Sequence, residues 1–508
     1  MREAIANRLG WLDAPAGMTA EVANIRRLAE DAWQDGITHV DLLGMGGSSL
    51  CADVLRATLP RGRRGVSLTV LDTTDERAIN REAASADLAK TLFLVASKSG
   101  STIEVLSLEH FFSSLTARAV GELSAGRHFV AVTDPGTSLV SHAAAHHYRE
   151  TLLNPANIGG RYSALSLFGL VPAALLDLDV DRLLDDGRAM AEACAADTAD
   201  NPGLALGAFM AEQGRAGRDK LTLLVSPALA PLGPWIEQLV AESTGKDGRG
   251  LLPIVDEPEA EPAEYGADRA FVAIASRDDA ALDPRLTAIA AAGHPVFRID
   301  AAADRLGAEF FRWEFATAVA GAALGVNPFD EPNVREAKAR TQALLETFRA
   351  DGALRVDPPL EPKHGWMARA HRAADRPAAR AGRYTALLDY LPADPARVPI
   401  LQGVRRRLRE MTGLATTHGF GPRYLHSTGQ YHKGGPNTGL FILLTAADET
   451  TTPVPGTDYS FSVLKQAQAL GDFEALSAAG REVVHLHFDG PAADLPARLA
   501  RIPDEVPL

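Results

Sequence analysis

Two series of short apolar runs, each run followed by a loop and then by a helix-like or loop segment, constrain this chain more than any other feature. The first series is ITHVDLL (37–43), VSLTVL (66–71), TLFLVA (91–96) and HFVAVT (128–133). The second is LTLLVS (221–226), GLLPIV (250–255), RAFVAIA (269–275) and PVFRID (295–300). Strands alternating with helices build parallel, doubly wound sheets. The expected fold class is therefore α/β, with two doubly wound domains spanning roughly 36–195 and 205–345. A helical segment, 1–35, precedes them, with Ile25, Leu28, Ala29 and Ala32 at helical spacing. Residues 346–508 form a C-terminal part. Its first stretch, 350–399, is rich in Pro, Ala and Arg and reads as a surface excursion. A helix (403–416), a strand (439–445), a closing helix around YSFSVLKQAQAL and a last strand (481–488) follow it.

A length of 508 residues fits two or three domains, and 46% apolar residues can fill a large core. The net charge of −14 makes nucleic acid or an anionic membrane a poor partner, because both require a positive field. A phosphorylated small molecule needs only a local cluster of donors. Two cysteines, Cys51 and Cys194, cannot make a disulfide framework or a four-thiolate metal site. The start carries no signal-peptide core, and stretches such as FATAVAGAALGV (315–326) fall short of the ~18 residues of a membrane span. These features lead us to expect a cytoplasmic protein.

Six segments carry candidate chemistry. GMGGSS (44–49) lies between a strand and a helix, where glycines let an anion approach the backbone and the helix N-terminus favours negative charge. A dinucleotide loop is the competing reading, with Asp72 as the ribose-binding acid, although Ser49 stands where a third Gly or Ala belongs. SKSGST (97–102) places four hydroxyls and one ammonium at a helix start, more than capping requires. GGRYS (159–163) puts a guanidinium beside two glycines. In PWIEQLVAESTGKDG (234–248), Gln238 and Glu242 share a helix face. Glu242 also lies near the helix C-terminus, where the dipole disfavours a carboxylate and makes it a better base. LHSTGQYHKGGPNTG (425–439) concentrates histidines and hydroxyls in a loop, without an acid or thiolate at zinc-ligand spacing. Lys465, alone on its helix, is by itself an ordinary surface residue.

Taken together, in this order and with NPFDEPNVREAK (327–338), these motifs resemble the glucose-6-phosphate isomerase family, whose members pair two sugar-isomerase (SIS) domains. The chain is most similar to the isomerase half of transaldolase–isomerase fusions. The resemblance implies that Ser48, Ser97, Ser99 and Thr102 hold the phosphate, that Gln238 holds sugar hydroxyls, and that Gly47, Lys98 and Gly160 also bind substrate. It makes Glu242 the proton-transferring base, Arg161 the enediolate stabiliser, and His432 and Lys465 the ring-opening pair. It also implies a homodimer whose histidine loop reaches the neighbouring site. His432 stands one position further from Gly429-Gln430 than the family's usual histidine, so His426 remains its rival. Asp458 occupies a position where a Gln would be expected.

The implied reaction interconverts D-glucose 6-phosphate and D-fructose 6-phosphate and uses no redox cofactor and no metal. It needs a carboxylate within reach of C1 and C2, a cation for the enediolate, and a remote phosphate anchor. Another SIS-type isomerase or a non-enzymatic sugar-phosphate sensor would share the phosphate loops. A sensor would not need Glu242.

Overall fold

The computed structural model describes residues 5–276, 280–354, 360–372 and 382–505. The first sheet contains β1 (His39–Gly44), β2 (Ser67–Leu71), β3 (Thr91–Ala96), β4 (Phe129–Thr133) and β5 (Glu150–Leu153), all parallel, in the order β2-β1-β3-β4-β5. The order reverses between β1 and β3. Their loops therefore diverge and leave a crevice at the carboxyl ends of the strands, where doubly wound sheets bind ligands. Gly44 pairs with Ala96 at that edge, so GMGGSS and SKSGST emerge side by side.

The second sheet is also parallel. It contains β6 (Lys220–Val225), β7 (Leu252–Ile254), β8 (Arg269–Ser276) and β9 (Val296–Ala301), in the order β7-β6-β8-β9. One apolar core joins both sheets. It runs from Leu42, Leu94 and Val130 through Phe168, Leu184 and Phe310 to Leu223, Val272 and Ile274. The two doubly wound units expected from the sequence are thus present and fused through shared helices.

The C-terminal part differs from a surface excursion. A third sheet of six strands comprises β10 (Glu361–Lys363), β11 (Trp366–His371), β12 (Tyr384–Tyr390), β13 (Ala415–Phe420), β14 (Gly439–Ala446) and β15 (Glu482–Phe488), ordered β10-β11-β15-β14-β12-β13. β12 and β14 are buried throughout. The Pro-, Ala- and Arg-rich composition of 350–399 obscured YTALLDY, a strand flanked by parallel partners on both sides. Residues 355–359 and 373–381 of that stretch lie outside the described residues.

This third unit is not appended at a distance. Phe461, Leu464 and Ala467 of the helix Phe461–Ala478 enter a core with Val105, Leu108 and Phe112 behind the first sheet. Tyr384, Tyr424 and Tyr431 pack with Ala241 and Ile254 of the second. No helix among the described residues is long and apolar enough to cross a membrane.

Candidate active site

The crevice predicted at the β1/β3 switch point opens into a cavity of about 510 Å³, within the range of small-molecule sites. Met45 to Ser48, Lys98, Ser99 and Thr102 form one end. Gly159 to Tyr162, Gln238 and Glu242 form the other. Most residues singled out from sequence therefore converge, although 195 positions separate Gly47 from Glu242.

The glycines are required by close approach. Gly46 has φ +54°, and a Cβ there would lie 2.6 Å from Gln238 Nε2. A Cβ at Gly47 would lie 2.1 Å from the Gly160 carbonyl oxygen. The GMGGSS turn thus presses directly on the GGRYS turn, and any side chain at Gly47 would drive them apart. Ser97 is buried behind the cavity and exchanges a hydrogen bond with Thr102 Oγ1 at 3.1 Å, so it supports the anion loop from below. Lys98 is ion-paired with Asp134 at the cavity rim. Thr102 occupies the N-cap position of the helix Ile103–Val120 without a side-chain cap hydrogen bond, and that helix starts at this end of the cavity.

At the opposite end Arg161 is immobilised. Its Nε donates to Ser243 Oγ at 2.8 Å, Nη2 to the Pro328 and Asp330 carbonyls at 2.7 and 2.9 Å, and Nη1 to Glu331 Oε2 at 3.2 Å. The same Nη1 lies 3.4 Å from Glu242 Oε1. Glu242 sits in the last turn of the helix Leu232–Thr244 and is 7% exposed. Burial raises its carboxyl above the ordinary value. Arg161 opposes that shift, and the like charge of Glu331 adds to it. Gln238 Nε2 donates both to Glu242 Oε2 at 3.1 Å and to the His426 carbonyl at 2.7 Å.

The comparisons agree with this geometry. Residues 27–251 match the family model described as phosphoglucose isomerase. Over that span, which holds the first sheet and the helix carrying Glu242, the chain is similar to phosphoglucose isomerases. A glucose-6-phosphate isomerase of Rubrobacter xylanophilus is 29% identical over 63% of this chain and 85% of its own length. One from Thermus thermophilus is 33% identical over 47% of this chain and 56% of its own. Among solved structures, a hypothetical protein of Thermus thermophilus aligns with a TM-score of 0.60 and 26% identity, covering 68% of this chain and 93% of its own. A glucose-6-phosphate isomerase of Chlamydia trachomatis aligns with a TM-score of 0.57 and 20% identity, covering 66% of this chain and 75% of its own, and so shares the fold.

The two residues expected from sequence to open the ring, His432 and Lys465, do not line the cavity. His432 is 2% exposed, with Nδ1 bonded to Tyr384 OH at 2.9 Å and its ring packed against Phe441. Burial and the nearby Lys433 push its pKa well below the ordinary histidine value. It is a neutral core histidine. Lys465 Nζ is held by Asp75 Oδ2 at 2.8 Å and Asp448 Oδ1 at 2.5 Å, and so ties the third unit to the first. Burial opposes its charge, but the two carboxylates outweigh burial and hold its pKa above the ordinary lysine value. The rival His426 lines the cavity instead. It does so within its own chain. Asp72, the ribose-binding acid of the dinucleotide reading, is taken up by an ion pair with Arg423.

Four residues escaped the sequence reading. Lys338, last in NPFDEPNVREAK, lines the cavity, as does Glu331 from the same stretch. Arg8 lines the cavity from the N-terminal segment. Glu104, two residues past Thr102, accepts from His426 Nε2 at 2.9 Å and from Gln468 Nε2 at 2.8 Å. Burial alone would raise its carboxyl; the His426 contact brings it below the ordinary value. NPFDEPNVREAK was visible as a motif, but nothing local in it marked Lys338 as a site residue. Only the fold brings Glu104 to His426.

A pH prediction follows from Glu331. A raised pKa keeps Glu242 protonated, and so inactive as a base, to a higher pH than an ordinary carboxyl. Turnover should fall as pH drops through that value. Glu331→Gln removes the like charge, so the acid limb of kcat/KM should move to lower pH. An unmoved limb, or one moved upward, would rule out this coupling.

Proposed function

We propose that the chain is a glucose-6-phosphate isomerase, interconverting D-glucose 6-phosphate and D-fructose 6-phosphate in glycolysis and gluconeogenesis. The observation that carries this reading is the Glu242–Arg161 pair, 3.4 Å apart on a cavity wall facing a phosphate-type loop at the other end. The family match and the named relatives support it.

In this mechanism the substrate phosphate sits against Ser48, Ser99, Thr102 and the start of the helix Ile103–Val120, with Gly47 letting it approach the backbone. Lys98, Arg8 and Lys338 supply the positive field that the carboxylate-rich chain otherwise lacks. Glu242 removes the C2 proton and returns it to C1. Arg161, already fixed by its own hydrogen bonds, meets the developing enediolate charge without reorganising. Gln238 holds Glu242 and sugar hydroxyls. His426, oriented by Glu104 at Nε2, offers Nδ1 to the sugar ring oxygen for ring opening.

The decisive experiment is a coupled assay of fructose 6-phosphate conversion, run beside mannose 6-phosphate and glucosamine 6-phosphate. Turnover confined to another sugar would shift the assignment to a different phosphosugar isomerase. Binding without turnover would make the protein a sensor. Ser99→Ala and Thr102→Ala are each expected to weaken 6-phosphosugar binding by about 1–3 kcal/mol, with inorganic phosphate competing in the parent protein. Unchanged binding in both would reduce SKSGST to a helix cap. We further infer a cytoplasmic homodimer, following the family resemblance, in which each chain carries a complete site; light scattering tests the dimer.

A further inference from the structure

A cluster outside the cavity has the composition and spacing of a metal site. Glu109 and His110 lie on the helix Ile103–Val120 and His142 on the helix Ser138–Ala145. One ligand atom from each lies within 4.8 Å of the others. Glu109 Oε1 is 3.2 Å from His142 Nε2, and Oε2 is 3.7 Å from His110 Nε2. Two ligands of a tetrahedral zinc, at ~2.05 Å from the ion, stand about 3.3 Å apart.

The Glu109–His142 ion pair and the Tyr148 hydrogen bond account for only part of this arrangement. Glu109 is 1% exposed, and its Oε1 already accepts from Tyr148 OH at 2.6 Å. Its Oε2 accepts no hydrogen bond, and His142 Nε2 makes none of good geometry. Buried polar atoms without partners are rare because each costs its desolvation. The other His-carboxylate cluster, His39 with Asp41 and Glu82, contrasts with it. There both ring nitrogens are taken, Nδ1 by Ser67 at 2.7 Å and Nε2 by Asp41 at 3.0 Å.

We propose that Glu109, His110 and His142 bind a divalent late transition metal, for which zinc is the probe. Two imidazoles and one carboxylate suit that class better than calcium or magnesium, which take oxygen ligands. The ion would clamp two helices whose N-terminal ends flank the phosphate loop: Thr102 precedes one, and Thr137, a cavity-lining residue, precedes the other. Its role would be structural, separate from proton transfer.

The test uses the full chain, stripped of metal and titrated with zinc against a chromophoric chelator. One zinc per chain should bind, and it should raise the Tm by mass action. His142→Ala and the more exposed His110→Ala should each weaken binding by more than about tenfold, abolish the zinc-dependent Tm shift and leave isomerase turnover intact. Cobalt(II) should give visible bands of a four-coordinate site in the parent protein and lose them in either variant. Failure to bind stoichiometric zinc would overturn the proposal. So would affinity unchanged in both variants, which would show zinc held elsewhere.

Discussion

Glu242→Gln is expected to lower kcat by about 10²–10⁴-fold with KM changed little. The substitution preserves volume and removes only the proton acceptor. Gln238 can still contact the new side chain, and Arg161 keeps Ser243, Pro328, Asp330 and Glu331 as partners, so the wall should stand. A base that works only during proton transfer shows in kcat. A residue needed for folding would show in Tm and expression. Near-normal turnover would remove Glu242 from the mechanism. Loss of binding together with turnover would instead make it a structural element of the cavity.

The second large effect separates two histidines six positions apart. His426→Ala is expected to cost about 10²–10⁴-fold in turnover of cyclic sugar phosphates, the range of general acid–base catalysis. His432→Ala is expected to lower stability by about 2–4 kcal/mol, because it opens a cavity among Tyr384, Tyr424 and Phe441 and leaves the Tyr384 hydroxyl without its partner. Turnover per folded molecule should stay near that of the parent protein. The reverse pattern would return ring opening to His432. Mixing Glu242→Gln with His426→Ala under subunit exchange should recover no activity, because both groups serve the same cavity from one chain. Recovery would mean that the histidine loop acts across a subunit boundary.

What could be read in the sequence depended on how local the signal was. Strands β1, β3, β4 and β6 appear as continuous apolar runs because parallel strands are buried on both faces. GMGGSS and SKSGST are legible because an anion loop needs its donors contiguous, on the turn that enters a helix. β12 is equally buried, yet it lies in a Pro-, Ala- and Arg-rich stretch whose composition argued for surface. β5 is short and β13, ATTHGF, is mixed in composition, and neither gave a usable pattern.

The amino-acid order alone determined the two doubly wound units, the hydroxyl-rich loop at the start of the helix Ile103–Val120 and the helix that carries Gln238 and Glu242, because each rests on spacing within one element. The tertiary structure decided which histidine and which lysine line the cavity. His426 and His432 share one segment of sequence, though His426 ends a short turn and His432 lies on the helix Gly429–Gly434, and Lys338 and Lys465 each sit on a helix that looks amphipathic or solvated in isolation. Whether such a side chain faces a cavity or a core depends on what packs against it. For His432 that is the third sheet, and for Lys465 it is the carboxylate of Asp75, which caps a helix of the first unit. Contacts between residues hundreds of positions apart leave no trace in either one's neighbours along the chain.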